Sequence, residues 1–271
     1  MLHQCLFVRD TAVRRQGVEP FLRDRPHGPF IPSCARADAR RVSLATRGTL
    51  KGPPQGITLC VYPTADIELD PSLPTNAEFW VPEPDEIDDN EGFGMFQDVW
   101  PITDVSVDEA NAVAREDGLL CQVVAGLARD AVDFDILAAA VETGSVGEED
   151  EISAESLAAL APYLTGKAAL ESLEAGVAGL VYALSAAGMF PAARCRGHAE
   201  SDAWSAIPVV MFAADRIHAE PLQPLVVGSG CGFGLDPVRP ELLVINGRSV
   251  EDTLRLGRVV LASIGVFQSL G

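Results

Sequence analysis

From residue 165 the apolar positions follow a helical beat: Leu170, Leu173, Val177, Leu180, Val181 and Leu184 recur at three- and four-residue spacings. Thr165 stands where an N-cap belongs, and Gly188 where a left-handed stop belongs. The beat then changes. Met189 to Arg194 predicts a short strand, Ile207 to Ala214 a buried strand, and Leu242-Leu243-Val244-Ile245 another. Between them, Arg216 to Val227 reads as a helix interrupted by Pro221 and Pro224. Asn246-Gly247 turns the last strand, and Ser249 with Asp252 opens a final helix through Ile264. This order predicts helices covering a sheet, of α/β or α+β class.

Upstream the pattern is sparser. Gly56-Ile57-Thr58-Leu59-Cys60-Val61-Tyr62 predicts a buried strand, and the prolines and acids from Pro63 to Glu91 predict an exposed acidic loop. That loop does not match a calcium-binding loop, because Ile87 would fall on the first ligand position. Ser106-Val107-Asp108-Glu109 is a capping box, predicting a helix to about Asp117-Gly118, and a second helix is expected from Asp133 to Thr143. The acidic run Glu148-Glu149-Asp150-Glu151 after Gly144 to Gly147 reads as a linker. The expected organisation is a basic flexible segment over 1–51, a smaller N-terminal α+β region over 52–150, and a layered helix-on-sheet C-terminal domain over 151–271.

Composition narrows the function classes. A chain of 271 residues, 48% hydrophobic, can bury a substantial core. A formal charge of −19 repels phosphate backbones and anionic membranes, which argues against non-specific nucleic-acid binding. The charge is uneven: residues 1–51 hold ten Lys and Arg against four acids, leaving −25 for the rest. Lacking periodicity, that segment reads as a tail or upstream extension; Arg14-Arg15 is followed by no apolar export region. Six widely spaced cysteines, without a C-x-x-C or a secretory signal, predict a reduced, cytoplasmic protein. Only two of the twenty basic residues are lysines, a bias towards Arg and Ala that suggests a GC-rich bacterial origin. Ala175 to Ala193 contains no charge, but Gly188 and Pro191 break it, so a buried helix running into a strand is expected rather than a membrane span.

Candidate chemistry gathers at Cys195-Arg196-Gly197-His198, a thiol, a guanidinium and an imidazole around a glycine at a predicted strand end. Cys195 is the candidate nucleophile, His198 or His218 its base, and Arg194 and Arg196 neighbouring charges that would activate it. The expected ligand-binding set is Cys195, Arg196, Gly197, His198, Trp204, Gly230 and Gly232, with Trp204 as a stacking surface and the Gly228 to Gly234 loop as a wall. That loop does not fit a dinucleotide fingerprint, because Phe233 occupies the third glycine position. Cys195, His198, His218 and Cys231 could make a Cys2His2 zinc set, but only the first pair has characteristic spacing, so no metal is expected. As surface residues, Arg196 and His198 should each tolerate Ala within about 0.5 kcal/mol.

The stretch Gly188-Met189-Phe190-Pro191-Ala192-Ala193-Arg194-Cys195-Arg196-Gly197-His198, following a helix and followed by a tryptophan and an apolar strand, resembles the core of the wybutosine tRNA-modification protein family over residues 165–265. Cys195 and Gly197 match that family's Ser-Ser-Cys-Ser-Gly-Arg motif by identity; Ala193, Arg194 and His198 depart from it. The resemblance implies shared architecture and, as a function, S-adenosylmethionine-dependent methyl transfer to RNA. The residues themselves point first to a cytoplasmic protein that binds an anionic small molecule or nucleotide at the Cys195 to His198 loop. RNA modification and a structural or protein-interaction role are the alternatives. A coherent basic face of Arg194, Arg196, Arg216 and Arg248 would favour RNA, and its absence the small ligand.

Overall fold

A computed structural model describes residues 62–83, 102–147, 151–167, 170, 173–199, 205–236 and 239–270. The basic segment 1–51, the predicted strand before Tyr62, residues 84–91 of the acidic loop, residues 148–150 of the linker and Trp204 lie outside the described residues. The described chain is α+β: α1 (Val107–Leu127), α2 (Ala131–Thr143), α3 (Ala154–Leu160), α4 (Ala178–Ala186), β1 (Phe190–Cys195), β2 (Val209–Ala213), α5 (Arg216–Ser229), β3 (Gly232–Leu235), β4 (Leu243–Asn246), α6 (Val250–Ala262) and α7 (Ile264–Gln268).

The four strands form one antiparallel sheet in the order β1-β2-β4-β3. Every residue of β2 is buried, because both faces are covered. Val210 and Phe212 join Leu243, Ile245 and Phe233 against the helices, while Val209, Met211 and Ala213 pack with Val244, Trp80, Phe190 and Ile207 on the other face. The register aligns Cys195, Val209, Asn246 and Gly232 in one row across the sheet.

Helix α4 is the hub of the helical layer, with Ala178 to Ser185 all buried against α1 and α6. Two glycines permit that contact. A Cβ on Gly179 would come within 3.0 Å of the Ala114 Cα, and one on Gly257 within 3.1 Å of the Leu180 nitrogen. The helix starts later than its apolar beat predicts, because Gly176 takes φ +94° and the carboxylate of Asp117 on α1 accepts the N–H groups of Gly176 and Gly179. Asp117 thus caps α4 from another helix, and Thr165 does not. Gly188 ends the unit at φ +79°.

Several boundaries differ from expectation for tertiary reasons. Ser106 caps α1 through the Glu109 amide, but the helix continues past Gly118 to Leu127, since Leu120, Cys121 and Val124 supply a further buried face. Helix α5 passes through Pro221 and Pro224 to Ser229; Asp215 caps its start, and Ala219, Leu222 and Val226 hold it on the core. The expected division near residue 150 does not divide the core, in which residues from Ala110 to Phe267 pack in one cluster. Tyr62, the described end of the first predicted strand, belongs to no strand and lies against Phe134 of α2 with ring centroids 6.3 Å apart. Among the described residues no helix is long and apolar enough to cross a membrane, and Ala175 to Ala193 divides into α4 and β1.

Candidate functional site

Strand β1 ends at Cys195, and Gly197 turns the chain at φ +81°. Only glycine fits there: a Cβ would stand 2.5 Å from the Ile207 carbonyl carbon, on the returning limb where His198 N–H donates to the Ser205 carbonyl. The Gly197 N–H points back to Cys195 Sγ at 3.4 Å. One tight turn therefore sets thiol, guanidinium and imidazole side by side.

Arg196 does not reach water; it is 3% exposed. Its Nη1 donates to both carboxylate oxygens of Glu142 at 2.7 Å, its Nε to Asp135 Oδ1 at 3.4 Å and its Nη2 to the Asp135 carbonyl at 3.1 Å. Asp135 and Glu142 stand seven residues apart on α2, two turns along one face, and so meet the guanidinium together. The backbone N–H of Arg196 donates to Glu174 Oε2 at 2.8 Å, and Arg194 Nη1 approaches the same oxygen at 3.6 Å. This corrects the reading of Arg196 as a surface anion contact. Removing it would strand its carboxylate partners, so Ala at this position is expected to destabilise.

His198 lies between two carboxylates, with Nε2 3.5 Å from Glu174 Oε1 and Nδ1 3.8 Å from Asp135 Oδ1. Its hydrogen bonds, first to Cys195 and then to Glu174, raise the imidazole to about 10 against the opposing effect of burial. Burial would push Glu174 up, yet the His198 hydrogen bond and the charges of Arg194, Arg196 and His198 outweigh it and hold the carboxyl down at about 2. Glu142 moves the other way: burial raises it, Arg196 opposes, and the Glu174 charge adds to the rise.

Beside this network opens a small cleft. Arg196, Gly197 and His198 form one wall; Pro63 to Ala65, Phe134, Pro208, Arg248 and Val250 line the rest. The Tyr62 contact with Phe134 and the Ala65 N–H on the Arg248 carbonyl at 2.8 Å hold the proline segment in place. The void is about 20 Å³, room for about one water. Cys195 does not line it; its sulfur meets the His198 ring, which does.

Other expected site residues fall elsewhere. Gly230 caps α5 beside Arg248 and Asp252, and Gly232 opens β3, three strands from Cys195 and about 14 Å away at the usual strand spacing. The close approach that Gly232 allows is to Leu69 and Asp70, whose carbonyl accepts the Phe233 N–H at 2.7 Å, so the glycine loop forms no wall of the cleft. His218 bonds Asp215 at 2.7 Å at the start of α5, and Cys231 is buried, its thiol pushed up to about 12 by burial. The Cys2His2 set therefore does not assemble. Among the described residues, the group that does share a potential ligand-binding point is Glu174, Cys195 and His198, whose donor atoms lie within 4.8 Å of one another.

Glu174, Asp135 and Glu142 complete the site without having been singled out in the sequence, and Arg248, named there only as part of a basic face for RNA, lines the cleft. For the α2 pair a signal was present: two of the three acids of a largely apolar helix, Asp135 and Glu142, stand seven apart and so share one face. No protein-family model, curated protein or solved structure matches the chain.

Proposed function

We propose that the protein binds the anionic group of a small molecule in the cleft beside Gly197 and His198. The supporting observation is the charge of the lining: Arg196, His198 and Arg248 against a single acid, Asp135, in a chain of net charge −19. Because Glu142 and Asp135 consume the charge of Arg196, that residue positions the wall, while His198 and Arg248 make the contacts. The Arg248 side chain is 46% exposed and only loosely engaged, its Nε 3.5 Å from Asp252. A void the size of one water takes one oxygen of a carboxylate or phosphate, with the rest of the ligand outside. This favours a small ligand over a whole nucleotide.

The RNA-modification reading has less to support it. Of the four arginines that would make a basic face, Arg194 and Arg196 are 11% and 3% exposed within ion pairs, and Arg216 pairs with Glu220 and covers the Phe79 ring. Titration calorimetry with inorganic phosphate and acetate tests the small-ligand reading. Arg248→Ala or His198→Ala should weaken binding about tenfold or more, the loss of one charge-assisted hydrogen bond. Absence of binding at millimolar anion, or indifference to both substitutions, returns the chain to a structural or protein-interaction role.

A further inference from the structure

Three donors of different hardness meet where β1 enters its turn: a sulfur, a ring nitrogen and a carboxylate oxygen, all within 4.8 Å. We propose that Cys195, His198 and Glu174 bind one divalent ion of the zinc class, with a fourth coordination position open toward the cleft that His198 lines. The proposal goes beyond the anion reading and stands without it.

Donor chemistry selects the ion. Thiolate and imidazole favour zinc and its neighbours over magnesium and calcium, and three protein ligands with one open position is the arrangement of catalytic zinc. Bond lengths of about 2.0–2.2 Å to nitrogen and oxygen give a tetrahedral N–O edge of about 3.4 Å. The separation of His198 Nε2 from Glu174 Oε1 is 3.5 Å, close to that edge. The sulfur lies within 4.8 Å of both other donors, so a shift of about 1.2 Å at most completes the face, since a tetrahedral S–N edge is about 3.6 Å.

The surroundings hold each donor as a ligand requires. With Nε2 turned to Glu174, His198 Nδ1 faces Asp135 Oδ1 at 3.8 Å, the outer carboxylate that orients a ligating imidazole. Glu174 Oε2 is engaged by the Arg196 N–H at 2.8 Å, leaving Oε1 for the ion. The Gly197 N–H rests on the sulfur at 3.4 Å, where it supports a thiolate. The ion would be held by a thiolate, a neutral imidazole and a carboxylate, and would itself be the positive charge at the cleft.

The test is a cobalt(II) titration of the chelator-treated full chain, read by absorption. One equivalent should produce a thiolate-to-cobalt charge-transfer band and tetrahedral d–d bands; Cys195→Ser should abolish the first, and Glu174→Gln and His198→Gln should weaken cobalt affinity at least tenfold. Cys231→Ser should change nothing. Absence of a charge-transfer band in folded wild-type protein overturns the proposal without reliance on any variant, as does a band that survives Cys195→Ser. Phosphate titrations of the metal-free and cobalt-loaded protein separate the two readings. Cobalt binding without phosphate affinity removes only the anion reading; phosphate binding to metal-free protein that takes up no cobalt removes only the metal.

Discussion

Arg196 shows how burial changes what a charge does. A guanidinium that follows an apolar strand must reach water or find partners, and that much is legible in the sequence. The choice is not, because the partners lie 54 and 61 residues upstream on α2. Arg196→Ala leaves Glu142 without its countercharge and Asp135 with His198 alone, and should cost about 3–5 kcal/mol in urea denaturation, the range for breaking a buried ion pair. A loss under about 1 kcal/mol would mean that water enters and solvates the carboxylates. The turn at Gly197 was readable as tight; that Ile207 forbids any Cβ there depends on a chain limb ten residues away.

At the scale of elements, local chemistry settled what tertiary contacts did not override. Ser106 and Asp215 cap the helices they precede, and β1, β2 and β4 lie within a residue or two of their apolar runs, whereas β3 forms within the glycine stretch that reads as a loop. Helix ends were misread where distant groups supply the cap or the buried face. Gly118 suggested a stop, yet it lies inside α1 with nothing within 4 Å of a Cβ position. Gly118→Ala should therefore stabilise the protein by about 0.4–1 kcal/mol in thermal or chemical denaturation; destabilisation would reveal a packing role for the glycine. The remote cap carries a pH signature. Burial pushes Asp117 from 3.8 to about 6, over the opposing hydrogen bonds of Gly176, Gly179 and Cys121, with the nearby Glu142 charge adding to the rise. Below the unfolded value both states hold the proton; between the two values the folded state holds more, so stability falls as pH rises, until both are ionised. Against Asp117→Asn as reference, wild-type stability should drop by about 3 kcal/mol from about pH 4 to about pH 7. A flat difference would show that the three hydrogen bonds cancel the cost of burying the charge.

Across the whole molecule, the α+β class followed from element order, whereas the expected division at residue 150 followed from composition alone. An acidic, glycine-bounded run says what the chain does locally; it does not say that α1 and α2, which precede it, share one buried cluster with α4 and α6, which follow it, or that α1 packs on both. That packing brings α2 to Arg196 and fixes when the centre can form. The guanidinium leaves water only once α2 and the β1 turn are docked, which requires closure of a chain loop of 54 residues and an ion-pair geometry that loose collapse does not provide. The ion pair is therefore expected to form late in the folding reaction. Glu142→Gln should leave the folding limb of a chevron plot almost unchanged and act on the unfolding limb, about tenfold faster for each ~1.4 kcal/mol lost. A slowed folding limb would place α2 in the nucleus. The cleft would then open and close with the whole fold, and the lifetime of its binding geometry would be that of the native state.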